Sequence, residues 1–242
     1  MSEALLRVDG VSKRFGGFTA LDGITVDIRA GERFGLIGPN GSGKTTLINC
    51  ISGVLPSDGG SIRFDGDDIT RLPTYKRTRR GIARSFQVPR PFKSMTVLEN
   101  LLVAIDFAVI GHGLSTRQAD AEALAILDKI GLVGKAHVAS GQLSQVELRK
   151  MELARAMAAR PKLLISDEAM AGLAGSEIDE VLDVLLKLNA EGIAVIMIEH
   201  IMQAVMRFSE RVMCLDAGRI ICEGAPRQVM DDKRVQEAYL GA

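Results

Sequence analysis

The sequence predicts an α/β fold: a core of strands and helices interrupted by a helical insertion. Three observations predict it. A short apolar run, Arg33–Ile37, leads into a glycine loop, Gly38 to Thr46, which opens a helix. Apolar, strand-like runs return at 162–166, 193–198 and 211–224, with helical stretches between them. From about Pro89 to Arg160 the spacing of apolar residues is helical. Strands, then helices, then strands and helices in alternation describe an α/β core that carries an insertion.

The elements follow in order. Residues 5–8 and 24–29 alternate apolar and polar, as half-buried strands do. After the glycine loop, Thr45 to Ser52 continues as a helix, and SIRFDGDDI is a strand with a turn. From Tyr75 to Arg84 the chain is basic. Such a run can contact phosphates or lipid headgroups, but it is more often a solvated helix face, and that second reading is preferred. TVLENLLVAIDFAVI is apolar on most faces, TRQADAEALAILDKIGL is an amphipathic helix stopped at Gly131, and LSQVELRKMELARAMAAR is a third helix. KLLIS and IAVIMI are strands, and RVMCLDAGRIICEG reads as a hairpin about Ala217–Gly218. There is no internal repeat and no low-complexity tract.

Composition narrows the class. A chain of 242 residues allows one large α/β domain, or one core with an inserted subdomain. The formal net charge is zero, so no global field favours nucleic acid, although a local patch is compatible with it. Cys50, Cys214 and Cys222 are odd in number and scattered, without metal-ligand spacing, and read as reduced thiols in a cytosolic protein. The N-terminus MSEALLRVDG lacks the charged-then-apolar pattern of a signal peptide. Apolar runs such as Ile193–Ile198 fall far short of the ~18 residues of a membrane span. Any work at a membrane requires another component to hold the chain there.

The chemistry concentrates in a few places. Gly38, Gly43, Lys44 and Thr45 fit G-x-x-x-x-G-K-[ST], after a strand and opening a helix. The whole loop, with Pro39, Asn40, Gly41, Ser42 and Thr46, brings backbone N–H groups and a helix N-terminus to phosphates. Lys44 reaches the β- and γ-phosphates, and the Thr45 hydroxyl is suited to Mg²⁺. LLISDE is an apolar strand ending in two carboxylates: Asp167 suits Mg²⁺, held through water, and Glu168 suits the attacking water. The plainer alternative is a helix N-cap by Asp167. His200 ends the next strand, where it can bond a γ-phosphate, although a lone His there is more often a surface or core residue. Gln87 lies where the core gives way to the helical part. A Gln there can touch Mg²⁺ or the attacking water, yet residue chemistry alone ranks it no higher than a polar loop residue. Phe15 can stack on adenine or simply pack in the core, and the sequence does not separate the two.

Taken together, these residues resemble the ATP-binding-cassette ATPases. GPNGSGKTT, Gln87, LSQVELRKMELARA, LLISDE and His200 stand in that family's order and spacing, over essentially the whole chain. KRFGGFTAL (13–21), ARSFQVPRPFKSMTVLENLLVA (83–104) and the ending EGAPRQV…VQEAYLG (223–241) are similar to the ATPase subunits of branched-chain amino-acid importers. Relatives of that group carry urea, amides or lipopolysaccharide. The resemblance implies a P-loop NTPase core, a RecA-like mixed sheet, with an antiparallel β subdomain and an inserted α-helical subdomain. It implies one domain over 1–242: residues 1–87 and 160–242 form the core with its β subdomain, and 88–159 the helical subdomain. It implies ATP and Mg²⁺, with Glu168, His200 and Lys44 catalytic and Thr45, Gln87 and Asp167 at the metal. Two such cassettes would meet head to tail around two ATP molecules, and closure would pull on two membrane permease subunits through a groove near Gln87. A periplasmic or extracellular solute-binding protein would take part indirectly. The place of work would be the cytoplasmic face of the inner membrane, with no role for nucleic acid.

The chain departs from the family pattern. The usual LSGGQ signature is here Leu143, Ser144, Gln145, Val146 and Glu147. The Pro expected after the acidic pair is Ala169, and the Asp expected at the end of the D-loop is Ala174. In the family those segments act in the partner's site. Gln145 and Val146 are expected to put side chains where glycine backbone would approach phosphate, and Glu147 to add negative charge there. Ser144-x-x-Glu147 also reads as a capping box for the following helix. The resemblance therefore implies a heterodimer with a second cassette whose signature is intact. Against the importer stand a cassette for lipid or lipopolysaccharide extraction, a nucleic-acid or ribosome-associated cassette, and a small P-loop kinase. The short distance in sequence from Lys44 to Asp167 disfavours a repair-type cassette, and the single cassette disfavours a ribosome-acting type. The recognisable signature helix and His200 disfavour the kinase.

Overall fold

The computed structural model describes residues 4–86, 88–108 and 114–240. The chain opens with β1 (Ala4–Phe15) and β2 (Phe18–Arg29), then β3 (Arg33–Ile37), α1 (Lys44–Ser52), β4 (Gly59–Phe64), β5 (Asp67–Asp68), α2 (Thr74–Arg79) and β6 (Ile82–Ser85). The helical stretch follows as α3 (Val97–Ala108), α4 (Thr116–Ile130) and α5 (Gln145–Met157). Then come β7 (Leu163–Asp167), α6 (Ser176–Ala190), β8 (Ala194–Ile198), α7 (Met202–Phe208), β9 (Arg211–Asp216), β10 (Arg219–Gly224), α8 (Pro226–Asp231) and α9 (Lys233–Leu240).

The strands expected at 5–8 and 24–29 are parts of longer ones. β1 and β2 shift register repeatedly, including between Val8 and Val11. Each bulge resets the two-residue alternation that marks a strand, so the periodic signal is broken while the pairing continues. These strands form a 4-stranded antiparallel sheet in the order β2-β1-β4-β5. The second sheet is 6-stranded, in the order β10-β9-β3-β8-β7-β6. From β9 to β6 its neighbours run parallel, and β10 closes the edge antiparallel to β9. The hairpin between β9 and β10 turns at Ala217 and Gly218, as expected, with φ of 44° and 78°.

β7 and β8 are buried along their whole length, as the continuous apolar runs require for parallel strands covered on both faces. Their side chains sort by alternation. Leu163, Ile165, Ile196 and Ile198 pack with Leu47, Ile48 and Ile51 of α1 and with the antiparallel sheet. Leu164, Val195 and Met197 pack against the other face, with α5 and with Leu182 and Leu185 of α6. The mixed sheet is thus the middle layer, and its strand ends are held rigidly at one edge. α3, α4 and α5 pack on one another and share this second core. Of the stretch read as helical through Ile110, the described helix reaches Ala108, and residues 109–113 lie outside the described residues. α4 is bounded as its sequence predicts: a capping box of Ser115 and Gln118 opens it and Gly131 ends it at φ 76°.

The basic run is in part the solvated helix face expected, with Lys76, Arg79 and Arg80 exposed, but Arg77 is buried and Arg84 partly buried. It forms α2 and then β6, a strand concealed by the arginines. Arg77 is 2% exposed. Its guanidinium donates to Cys50 O (2.6 Å), Ile51 O and Leu72 O (both 2.8 Å) and Thr70 O (2.9 Å). Two of these carbonyls close α1, where a cation meets the negative end of the helix dipole. Burial lowers the pKa of this guanidinium, and four accepting oxygens compensate for the lost water. The run therefore fixes the far end of the helix that begins at Lys44.

Candidate functional site

Strand register assembles the site. β8 lies between β3 and β7, all parallel, with Leu36 opposite Ile198 and Ile198 opposite Asp167. The loop after β3, the residues after β8 and the end of β7 therefore emerge at one edge of the sheet. That is where α/β sheets bind ligands, beyond the carboxyl ends of their strands. Gly38–Thr46, His200 and the Asp167–Glu168 pair converge there although they are distant in sequence.

The loop needs its glycines. At Gly38, φ is +147° and an added Cβ would fall 2.1 Å from Leu215 O; at Gly43, φ is +107° and a Cβ would fall 2.7 Å from Ala20 O. Lys44 reaches back to donate to Gly38 O (2.8 Å) and Pro39 O (3.0 Å). Burial lowers its pKa, opposed by the charges of Glu168, Cys214 and Asp167. The Ser42 hydroxyl is buried without a protein partner. The helix opens without a side-chain cap on Gly43, so the N–H groups of its first turn face the loop.

The two carboxylates separate in role. Asp167 is nearly buried and accepts from Arg84 Nη2 at 2.5 Å, and the other arm of Arg84 donates to Asn49 on α1 at 2.6 Å. Glu168 stands at φ +48°, in the left-handed region, with its N–H bonded to Ile198 O at 2.9 Å. A non-glycine residue there costs of order 1 kcal/mol and persists because its surroundings hold it. Its Oε1 lies 3.0 Å from His200 Nε2. Asp167 is followed by a turn and not by a helix, so the N-cap alternative does not hold.

A cavity of about 280 Å³ joins these groups, lined by Phe15, Phe18, the loop from Asn40 to Thr46, Glu168 and His200. Phe15 is 48% exposed at the cavity and is not a core residue. The Lys13 ammonium sits 5.6 Å from its ring centre. The donors suit Mg²⁺: Thr45 offers a hydroxyl and Asp167 a carboxylate, both hard oxygen ligands. Among the described residues no group of three or more His, Cys, Asp and Glu could hold a metal alone. Phosphate oxygens and water would complete such a shell, as Mg²⁺ prefers. Gln87 lies outside the described residues.

The signature segment differs in detail from its expectation. The capping box forms: Glu147 N–H bonds the Ser144 hydroxyl at 3.3 Å, and Ser144 N–H bonds Glu147 Oε2 at 2.9 Å. These bonds, with Lys135 at 3.3 Å, hold the Glu147 carboxyl below its usual range, the Ser144 N–H contributing most. The cap also sets the phase of α5. Val146 turns into the helical core at 9% exposure, so its side chain is not directed outward as expected. Gln145 is exposed, and its amide lies beside Gly172, where an added Cβ would fall 2.7 Å from Nε2. Leu143 is buried.

Sequence reasoning passed over three residues around this edge. Arg84 was hidden in the basic run. Glu199, 2% exposed, accepts the Met170 N–H at 2.9 Å. Burial raises its carboxyl to about 7, against the pull of the Met170 N–H and with the Glu168 charge adding to the rise. Arg149 on α5 donates to Ala171 O at 2.8 Å. An unbroken apolar strand followed by Glu-His was the available signal for Glu199; nothing local marked the other two.

With the site defined, the comparisons with known proteins agree on one family. Residues 21–171 match the ABC transporter family, and residues 219–242 match a family described as branched-chain amino acid ATP-binding cassette transporter. The high-affinity branched-chain amino acid transport ATP-binding protein BraF of Pseudomonas aeruginosa is 38% identical, covering 100% of this chain and 99% of the relative. The probable branched-chain amino acid transport ATP-binding protein LivG of Archaeoglobus fulgidus is 36% identical over 98% of this chain and 96% of its own. Among solved structures, the ADP conformation of MJ1267, an ATP-binding cassette of an ABC transporter, superposes with a TM-score of 0.89 at 34% identity, covering 100% of both chains. A dimeric post-hydrolysis state of the cassette MJ0796 bound to ADP and Pi matches with a TM-score of 0.81 at 26% identity, over 92% of this chain and 99% of that one. With a P-loop NTPase core, an antiparallel β sheet and a helical insertion, this chain belongs to the ABC transporter family, as an ATP-hydrolysing cassette.

Proposed function

We propose that the chain energises a membrane importer of branched-chain or other hydrophobic amino acids from the cytoplasmic face, working as one half of a cassette pair. The observation that carries the hydrolytic part is the convergence of Lys44, Glu168 and His200 on one cavity, with Glu168 and His200 3.0 Å apart. Lys44 binds and orients the β- and γ-phosphates. Glu168 holds the attacking water, and His200 keeps that carboxylate aligned and meets the γ-phosphate. Phe15 carries the adenine. Mg²⁺, held by Thr45, Asp167 and Gln87, would neutralise charge on the phosphates.

The importer reading draws on full-length similarity to BraF and LivG and on a second feature. A largely apolar groove of about 880 Å³ opens between α1, α2 and β6 on one side and α3 and α5 on the other. Val54, Tyr75, Phe86 and Phe107 stand 54–71% exposed along it. Contiguous exposed apolar side chains of this kind mark interaction surfaces, and the permease subunits are the partners we assign. The helical subdomain, 88–159, would move with them. Among the described residues no helix is long and apolar enough to cross a membrane. The heterodimer reading draws on Gln145, Glu147 and Ala174, which alter the segments that serve a partner's site and leave this chain's own loop and carboxylates unaltered.

The test is ATPase activity of the chain alone and with its candidate partner cassette and permease subunits, for wild type and Glu168→Gln. Low activity alone, a strong rise with partners and loss in the variant are expected. High activity of the homodimer, unchanged by partners and dependent on Ser144, would refute the heterodimer.

A further inference from the structure

The C-terminal segment VQEAYLG has so far served only as a family resemblance, yet it ends against the phosphate loop. The Gly38 N–H donates to the Tyr239 hydroxyl oxygen at 2.8 Å, across 201 residues of sequence. Gly38 is the first residue of the loop, and its carbonyl accepts the Lys44 ammonium at 2.8 Å. The two peptide groups flanking Gly38 are therefore held from both sides, one by α9 and one by the phosphate-binding lysine. α9 itself is docked: Val235 is 1% exposed and packs with Val229 of α8, Ile37 of β3, and Val212 and Cys214 of β9. The anchor is thus the strand that feeds the loop and its neighbour. Burial raises the Tyr239 phenol to about 12, so it is a neutral hydroxyl throughout the working range.

We propose that Tyr239 is a positioning residue of the phosphate loop, through which docking of the C-terminal helix and nucleotide binding are coupled. The argument is one of backbone accounting. A peptide unit entering a phosphate loop must hold one orientation if the amides beyond it are to converge on the phosphates. At Gly38 the lack of a side chain leaves that orientation soft, and the close approach to Leu215 O forbids a bulkier residue that would stiffen it. The hydroxyl of Tyr239 restrains it instead. Coupling of this kind is reciprocal: a helix that orders the loop for nucleotide is itself ordered by nucleotide.

The inference rests on the loop binding nucleotide, and the experiment separates the two. ADP affinity, KM and kcat for ATP, and thermal midpoint are measured for wild type and Tyr239→Phe, which removes only the acceptor. Loss of one backbone hydrogen bond predicts up to about fivefold weaker ADP binding and a similar rise in KM, with kcat within twofold and the midpoint lowered by a few degrees at most. A purely structural helix predicts a lowered midpoint with affinity unchanged, and that result overturns the proposal. Hydrogen exchange of 233–240 in the wild-type chain, with and without ADP, supplies a second arm independent of the variant. Slower exchange with ADP supports the coupling, and equal exchange at saturating ADP overturns it. A wild-type chain that binds no ADP would instead overturn the nucleotide reading itself.

Discussion

Glu199 makes the stability of this chain fall as pH rises through the neutral range. Burial moves its carboxyl from an ordinary 4.5 to about 7. The folded chain thus holds a proton that the unfolded chain releases. At about 1.4 kcal/mol per tenfold change in proton affinity, the neutral form contributes of order 3 kcal/mol. The contribution is complete below 4.5, where both states are protonated, and is lost as pH rises to about 7. The groups around it set the value: desolvation raises it, the Met170 and His200 N–H groups and Arg149 lower it, and Glu168 raises it. Glu199→Gln keeps an acceptor for the Met170 N–H and removes the titration. Urea unfolding at intervals from pH 5 to 8 is the assay. The difference in unfolding free energy, variant minus wild type, should grow by about 2–3 kcal/mol across that range. Parallel profiles would refute the assignment, because Glu199 is the group whose titration the variant removes.

Two further outcomes follow from the same geometry. Arg77→Met removes every bond to Cys50 O, Ile51 O, Leu72 O and Thr70 O, and should lower unfolding free energy by about 3 kcal/mol or more; a loss under about 1 kcal/mol in urea would show that water replaces the guanidinium. Ser144→Ala removes the cap of α5 and should cost the isolated chain about 1 kcal/mol in thermal unfolding, so an unchanged midpoint would show that the capping box carries no stability.

The phosphate loop was legible because its requirement is local: fixed spacing, glycines at fixed places, a strand before and a helix after. Asp167, Glu168 and His200 were legible because parallel strands end together, so residues that close apolar runs meet at one edge. Phe15 was undecided until its hairpin was seen to bring it to the cavity. The rest depended on contacts that spacing cannot report. β6 is short, and its apolar Ile82 and Ala83 stand among arginines. Arg77 and Arg84 looked like solvent-facing charge because their partners are backbone carbonyls and residues 35 and 83 positions away. Val146 could have been placed: with Ser144 as the cap, the helix phase turns its second residue inward. Tyr239 offered no signal, since a phenol near a chain end is unremarkable without the fold.

The altered signature gains a physical reading from the loop that follows the acidic pair. Residues 170 and 171 are held from two directions: Glu199, beyond β8, accepts the Met170 N–H, while Arg149 of α5 donates to Ala171 O. The helix that follows the altered signature is thereby joined to the loop after Glu168. The asymmetric pair proposed above, in which this chain supplies the loop and carboxylates and a second cassette the intact signature, draws on Gln145, Glu147 and Ala174 in the sequence.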